Sequence, residues 1–330
     1  MRGRSGSRRC WVDAMSAEGS FLSRPDGLPC WHFRHGPIDL VIVAEGDANA
    51  LADAFEAAWR RFDAVLPELV AELPALRRAV AGPCPVQGLV ARRMWQACAP
   101  FQARFITPMA AVAGAVAQEL IACFERGGVR RAWVNNGGDI ALHLAPGTLA
   151  GVGLFADLAR FDPRASSLRT DANFVVHAAM PVRGIATSGW RGRSFSLGIA
   201  DSVTVLARTA AQADAAATVI ANAVNVVDAR IERCAANALL DDSDLGDIEV
   251  TVGVPLLDVA QVDCALQAGR LRALDLQRAG LIHSALLVCQ ERFVGVGSLQ
   301  PTPTPALPQR GRERELDVHP TQRRHAGSPH

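Results

Sequence analysis

Lysine and tyrosine are both absent from this chain. Without lysine there is no Schiff-base chemistry and no phosphate-binding P-loop lysine, and without tyrosine there is no phenolic acid or base. All 34 basic residues are therefore arginine, set against 33 acidic ones for a net charge of +1. A chain so balanced has no overall field to gather nucleic acid or an anionic membrane, and a polyanion has to be bound at a local site. The eight cysteines are scattered, with no CxxC pair and no Cys/His cluster of zinc spacing. They read as small buried hydrophobes of a reducing compartment. No run of about 18 uninterrupted apolar residues is present, so no transmembrane helix is expected. The basic opening MRGRSGSRRCWVDAMSAEG is not followed by an apolar stretch of signal-peptide length, and Cys10 lacks the small apolar residues that precede a lipidated cysteine. The expected location is the cytoplasm, with Met15 as an alternative start.

What is present suits a globular protein: 330 residues, 49% hydrophobic and 20% charged, enough for one large domain or two small ones. Residues 1–28 read as a flexible basic leader. Residues 299–330, rich in Pro, Arg and Gln, have too few large apolar side chains to offset their own ordering entropy, and read as a disordered tail. Between them, residues 29–298 mix strands and helices. Strands are expected at 38–44, 149–155, 173–178, 202–207, 247–254 and 281–288, and helices at 47–62, 108–126 and 210–227. Asp47 and Thr107 are placed as caps of the first two, and Gly127-Gly128 as the stop of the second. Hairpins interrupt the helices irregularly, which favours an α+β fold over a doubly wound sheet.

Three segments carry chemistry. Residues 133–143 read WVNNGGDIALH, and Asn136-Gly137 between strand-forming runs predicts a type I′ hairpin turn. That turn does not by itself call for Gly138 or Asp139. A glycine pair also bares main-chain N–H groups to a bulky anion such as a pyrophosphate. In the second segment, GIATSGWRGRSF at 184–195, small residues and hydroxyls between glycines suit a loop lying against a ligand, with Arg191 and Arg193 able to pair with phosphate; an ordinary surface turn is the plainer alternative. The third is the helix after Thr209, whose T-x-x-Q start is a capping box. It is apolar nearly all round except for Asp214, Thr218, Asn222 and Asn225, which fall on one stripe. Asp214 and Thr218, one turn apart, are oxygen ligands suited to Mg²⁺, unless they serve only the helix dipole and a backbone bond. Asp201 reads equally as a turn residue or a site carboxylate. His32, His35, His143, His177 and His283 share no ligand spacing and are expected to be structural or exposed.

In this order, NNGGDI at 135–140, ATSG at 186–189 and SVTVLARTAAQADAAAT at 202–218 resemble the motifs of the ApbE-like flavin transferase superfamily. The helix PMAAVAGAVAQEL occupies the place of that family's GIAKG helix without its lysine. The resemblance covers roughly residues 108–225. It implies an ApbE-like, T-fold-like α+β domain with a mixed, largely antiparallel sheet and packed helices. It also implies FAD as cofactor, with Mg²⁺ on its pyrophosphate held by Asp214 and Thr218. Nucleotide contacts would come from Asn135, Asn136, Gly137, Gly138, Asp139, Thr187, Ser188, Gly189 and Asn222. The family's reaction moves FMN from FAD to a Thr or Ser hydroxyl of an acceptor protein and releases AMP, chemistry in which metal and glycine-rich backbone neutralise phosphoryl charge.

One departure is large. The transferases carry a His-Ile-Ile-Asp-Pro segment between ATSG and the next strand, where this chain has only WRGRSFSLGIAD. It is in this respect similar to the uncharacterised, UPF-designated ApbE-like branch. Asp201 is the candidate replacement for the missing acid/base group, FAD hydrolysis to FMN and AMP is a companion activity, and a non-catalytic flavin-binding or delivery protein is the alternative. Trp133 and Trp190 flank two motifs and are the candidates to stack on an isoalloxazine ring. The partners expected are a flavin nucleotide and an acceptor flavoprotein, with neither nucleic acid nor membrane. The oligomeric state is left open, a homodimer included.

Overall fold

The computed structural model describes residues 16–154, 172–192 and 194–298. The expected tail from 299, the first 15 residues of the expected leader, and Arg193 lie outside the described residues.

Nine strands form one sheet in which every neighbouring pair is antiparallel. The first five positions are β1 (Glu18–Leu22), β2 (Cys30–His35), β3 (Ile38–Gly46), β4 (Val129–Asn136) and β5 (Asp139–Leu144). The small antiparallel pair β6 (Leu149–Leu154) and β7 (Ala172–His177) stands apart from them. The main sheet continues with β8 (Gly184–Ser188) and β9 (Ser202–Ala207). A second small pair, β10 (Glu232–Ala235) and β11 (Glu249–Gly253), precedes the closing strands β12 (Ser284–Cys289) and β13 (Arg292–Val296). The α+β class and largely antiparallel sheet expected from the sequence are thus present. β1 falls inside the expected leader: residues 18–22 are exposed along their length but pair with β2, so the ordered chain begins earlier than composition indicated.

The helices are α1 (Ala48–Ala71), α2 (Leu73–Leu76), α3 (Leu89–Cys98), α4 (Val112–Ile121), α5 (Ala210–Ala223), α6 (Ala236–Leu239) and α7 (Val259–Arg278). Burial follows helical periodicity. In α1, Leu51, Ala54, Phe55, Ala58, Phe62, Val65, Leu66 and Leu69 face inward, and the helix expected to stop at Phe62 runs on through Pro67 because that spacing continues. In α7, Val262, Ala265, Leu266, Gly269, Ala273 and Leu276 repeat the pattern behind a complete Asp258/Gln261 capping box, a helix the sequence reading missed. Of the expected caps, Thr209 accepts from Gln212 N as predicted. Asp47 and Thr107 hold N-cap positions without side-chain cap bonds, and the Thr107 hydroxyl donates instead to Asp244.

Helices cover one face of the sheet. β9 and β12 have every residue buried, which explains their continuous runs SVTVLA and SALLVC. On the opposite face Leu142, Leu144, Val176, Ile185, Leu206 and Leu286 make a second, smaller core beneath the β6–β7 pair. Charge enters the helical layer at Glu119 of α4, which is 7% exposed and pairs with Arg61 of α1 at 2.6 Å and with Arg93 of α3, tying three helices together.

The closest helix contact is between α4 and α5. A Cβ on Gly114 would lie 2.4 Å from the Ala210 carbonyl oxygen and 2.9 Å from Asp214 Cβ, so no side chain fits. Gly114→Ala is expected to force the two helices apart at a cost of about 1–3 kcal/mol, read as a lower denaturation midpoint in guanidinium. An unchanged midpoint would mean that the contact is looser than described.

Candidate functional site

The β4–β5 hairpin forms the centre of the site. Asn136 pairs with Asp139, so the two turn residues are Gly137 and Gly138, with φ of 65° and 112°. The expected Asn136-Gly137 turn is thus shifted by one residue, and the second glycine is needed for the turn itself. The shift frees Asn136, which is 7% exposed, to donate from Nδ2 to the Ala113 carbonyl at 3.1 Å. Asn135 accepts from Gly138 N at 2.8 Å and closes the turn. Asp139 accepts from Thr187 N at 3.2 Å, which joins the NNGGD and ATSG segments.

The polar stripe of α5 divides. Asp214 accepts from Gly114 N at 2.9 Å, at the first turn of α4. Its carboxyl is held well above the usual carboxylate range, first by burial and then by the negative charge of Asp139, against backbone hydrogen bonds from Gly114 and Ala113. Asp139 is thus near enough to act on Asp214, and Thr218 lies half-buried one turn further along α5. Asn222, expected at the cofactor, is instead committed to the chain. Its Oδ1 accepts from Leu197 N at 2.9 Å and from Ser196 Oγ at 3.3 Å. Asn225 donates to the Leu197 carbonyl at 3.1 Å.

Around ATSG, Thr187 Oγ1 lies 2.9 Å from Thr204 Oγ1, and Ser188 is half-buried. Gly189 has no room for a side chain, since a Cβ would meet the Asp201 carbonyl oxygen at 2.5 Å. Asp201, expected as an acid/base group, is 6% exposed with both oxygens engaged. Oδ1 accepts from Trp190 Nε1 at 3.3 Å and Arg191 Nε at 2.8 Å, and Oδ2 accepts from Gln290 N at 2.5 Å. These surroundings suit an anchoring carboxylate rather than one that exchanges protons with a ligand. Trp133 packs against the second core on the far face of the sheet, with Arg24 over its ring at 5.9 Å, which removes it as a ring-stacking candidate.

The short segment before β9 is held down from several sides. Besides Asn222 and Asn225, Arg233 donates to the Leu197 carbonyl at 2.8 Å, Thr251 N donates to the Ser196 carbonyl at 2.8 Å, and a Cβ on Gly198 would sit 2.0 Å from the Ala221 oxygen. Arg233 and Thr251 were not expected here, and no local motif marks them, because the fold alone brings them together. Gln118 was missed likewise; its Oε1 accepts from Ala211 N at 3.3 Å at the start of α5.

The candidate donors are oxygen only: the carboxylates of Asp139 and Asp214 and the Thr218 hydroxyl one turn along α5. Among the described residues no group of three or more His, Cys, Asp or Glu is placed to hold a metal. Hard oxygen donors in this number fit Mg²⁺, which usually takes one or two carboxylates and completes its shell from phosphate and water. Because Asp214 ionises less readily in the folded chain than in the unfolded one, its contribution to stability is full below its ordinary value near 3.8 and is lost as pH rises through the raised value. In chelator, Asp214→Asn is expected to remove that loss, so that guanidinium midpoints at pH 5 and pH 8 differ less for the variant than for the parent. Equal pH dependence of the two would contradict the burial of this carboxyl.

A family model described as AbpE bacteria matches residues 22–299. Among curated relatives, a UPF0280 protein of Methanothermobacter thermautotrophicus is 42% identical over 124 residues, 37% of this chain and 44% of the relative. One of Methanopyrus kandleri is 35% identical over 193 residues, 55% of this chain and 72% of the relative. The chain spans about half the length of the first curated relatives it matches. Of solved structures, the ApbE protein of Thermotoga maritima matches with a TM-score of 0.45 at 13% identity, over 84% of this chain and 96% of that one. The apo flavinyl transferase ApbE of Pseudomonas stutzeri gives 0.41 at 12%, over 85% and 94%. Likenesses of that strength bear no weight alone, and the assignment rests on the sequence matches. By these, with its three ordered motifs, the chain belongs to the AbpE bacteria family, an ApbE-like branch to which the UPF0280 relatives above are similar.

Proposed function

We propose that this protein binds FAD together with Mg²⁺ and acts on its pyrophosphate. FMN would pass to a Ser or Thr hydroxyl of an acceptor flavoprotein, or to water, and AMP would be released. The observation that carries this reading is the hydrogen bond from Thr187 N to Asp139, which joins the two motif segments beside the Gly137-Gly138 turn, with Asp139 near enough to act on Asp214. Two carboxylates that repel each other inside a packed site are relieved by a divalent cation, and a glycine turn beside them lets a pyrophosphate approach main-chain N–H groups. Asp214 and Thr218 would hold the ion with phosphate oxygens completing its shell, and the ion would neutralise charge developing on the phosphoryl group. Thr187, Ser188 and Gly189 would border the nucleotide opposite the turn, with Asn135 and Asn136 supporting the turn from behind. In the transfer, the acceptor oxygen would bond to the FMN phosphorus and release its proton to solvent, the bridging P–O bond of the pyrophosphate would break, and AMP would leave with the electron pair.

A second reading, binding and delivery of the flavin without turnover, is favoured by the 196–198 segment. It stands where the transferases carry a histidine, and here it is bound down by Asn222, Asn225 and Arg233 without supplying a proton-transfer group. The two readings separate on incubating the full chain with FAD, with and without Mg²⁺, and quantifying bound FAD, FMN and AMP. Mg²⁺-dependent AMP release that falls at least 100-fold in Asp214→Ala, on the order expected for removing a charged group from a phosphoryl site, is the expected outcome. FAD bound without AMP establishes the delivery reading. No binding defeats both.

A further inference from the structure

The turn between β12 and β13 carries an unusual cost. Gln290 and Glu291 have φ of 46° and 65°, the positive φ values recorded for non-glycine residues within the described chain. A two-residue hairpin normally gives such positions to Asn or Gly, and side chains that adopt them are strained unless their surroundings impose it. Here the surroundings do. Gln290 Nε2 donates to the Pro255 carbonyl at 2.6 Å, its Oε1 accepts from Leu257 N at 3.0 Å, and its main-chain N–H donates to Asp201 Oδ2.

The strained turn thus fixes Asp201, and Asp201 in turn fixes Trp190. The other carboxylate oxygen accepts from the indole N–H and from Arg191 Nε, while the Arg191 guanidinium lies over the indole ring at 5.1 Å from its centroid. Trp190 also differs from the other described tryptophans. Trp31, Trp59 and Trp95 pack against the helix-side core and Trp133 against the far one, but Trp190 belongs to neither and is half-buried. It stands one residue past the ATSG segment, whose Thr187 N–H already reaches Asp139. A half-buried indole with its N–H satisfied, a guanidinium over its ring and its orientation fixed is a preorganised aromatic surface, and the ligand chemistry this suits is a flat heteroaromatic ring.

We propose that Trp190 is the specificity-determining stacking surface for a planar ring of the nucleotide bound at the Asp139/Asp214 site, with Asp201 as the positioning residue that sets its angle. The inference rests on the flavin-nucleotide reading above and adds to it which side chain meets a ring.

The test is equilibrium binding of FAD, FMN and ADP, in Mg²⁺, to the full chain and to Trp190→Phe, Trp190→Leu and Asp201→Asn, with melting temperatures to establish folding. Stacking is worth about 1–3 kcal/mol per ring. Trp190→Leu is therefore expected to weaken binding roughly 5- to 150-fold, while Trp190→Phe, which keeps an aromatic face, retains most of the affinity. A residue that served only packing would not separate Phe from Leu. Asp201→Asn is expected to weaken ring binding less than Trp190→Leu and to shift the Trp190 emission. Loss confined to FAD and FMN assigns the ring as isoalloxazine, and loss shared with ADP assigns it as adenine. A folded Trp190→Leu that binds FAD as tightly as the parent overturns this inference and leaves the flavin reading intact. A parent chain that binds none of the three probes overturns both.

Discussion

The site depends on one close approach, that of α4 to α5 at Gly114. Only a glycine lets the first turn of α4 come within reach of the α5 backbone, and the same glycine supplies the N–H that Asp214 accepts. The contact thereby places a carboxylate at a helix N-terminus, where N–H groups and the dipole favour negative charge. It also brings that carboxylate toward Asp139 across the β4–β5 turn, where burial and repulsion disfavour its ionisation. Opposing influences on one carboxyl group are a usual condition at functional sites.

Around this point the molecule separates what it holds rigid from what it leaves accessible. The 196–198 segment is bound by side chains from α5 and β10, and the ATSG segment, strand β8 up to Ser188 rather than the expected loop, packs at Gly189 against Asp201 just before β9. Glycines at 137 and 138 bare the backbone of the intervening hairpin. With no lysine in the chain, cationic support can come only from arginine, whose planar fork suits bidentate bonds to carboxylates. Arg61 is used in this way on Glu68, and single Nε bonds join Arg61 to Glu119 and Arg191 to Asp201.

Much of the architecture was legible in local pattern. The apolar periodicity of residues 48–62, the Thr209 cap and the runs at 38–44 and 202–207 each correspond to an element of the predicted type. Local pattern failed where a distant partner decides. α1 runs past Phe62 because core remains for Val65, Leu66 and Leu69 to fill, and β1 exists because β2 offers it an edge although its own residues bury little. Of the stripe read as Asp214, Thr218, Asn222 and Asn225, the first three lie on α5, while Asn225 falls beyond its end at Ala223, short of the expected 227. Two of its members serve the chain itself, because Leu197 supplies them with an N–H and a carbonyl at close range.

By itself the sequence determined the α+β class, the hairpin with its glycines, the α5 helix and its cap, and the three ordered motifs that mark the family, since all of these follow from short-range spacing and turn chemistry. Only the tertiary structure decided the rest. It set the turn one residue later at Gly137-Gly138, turned Asn222 from ligand to buttress, and set Asp201 as an anchor between Trp190 and the β12–β13 turn. It also brought Asp139 near enough to act on Asp214. The physical reason is common to the first three. A polar side chain takes whichever buried partner the packed backbone brings within about 3 Å, and that partner is chosen by packing between remote elements.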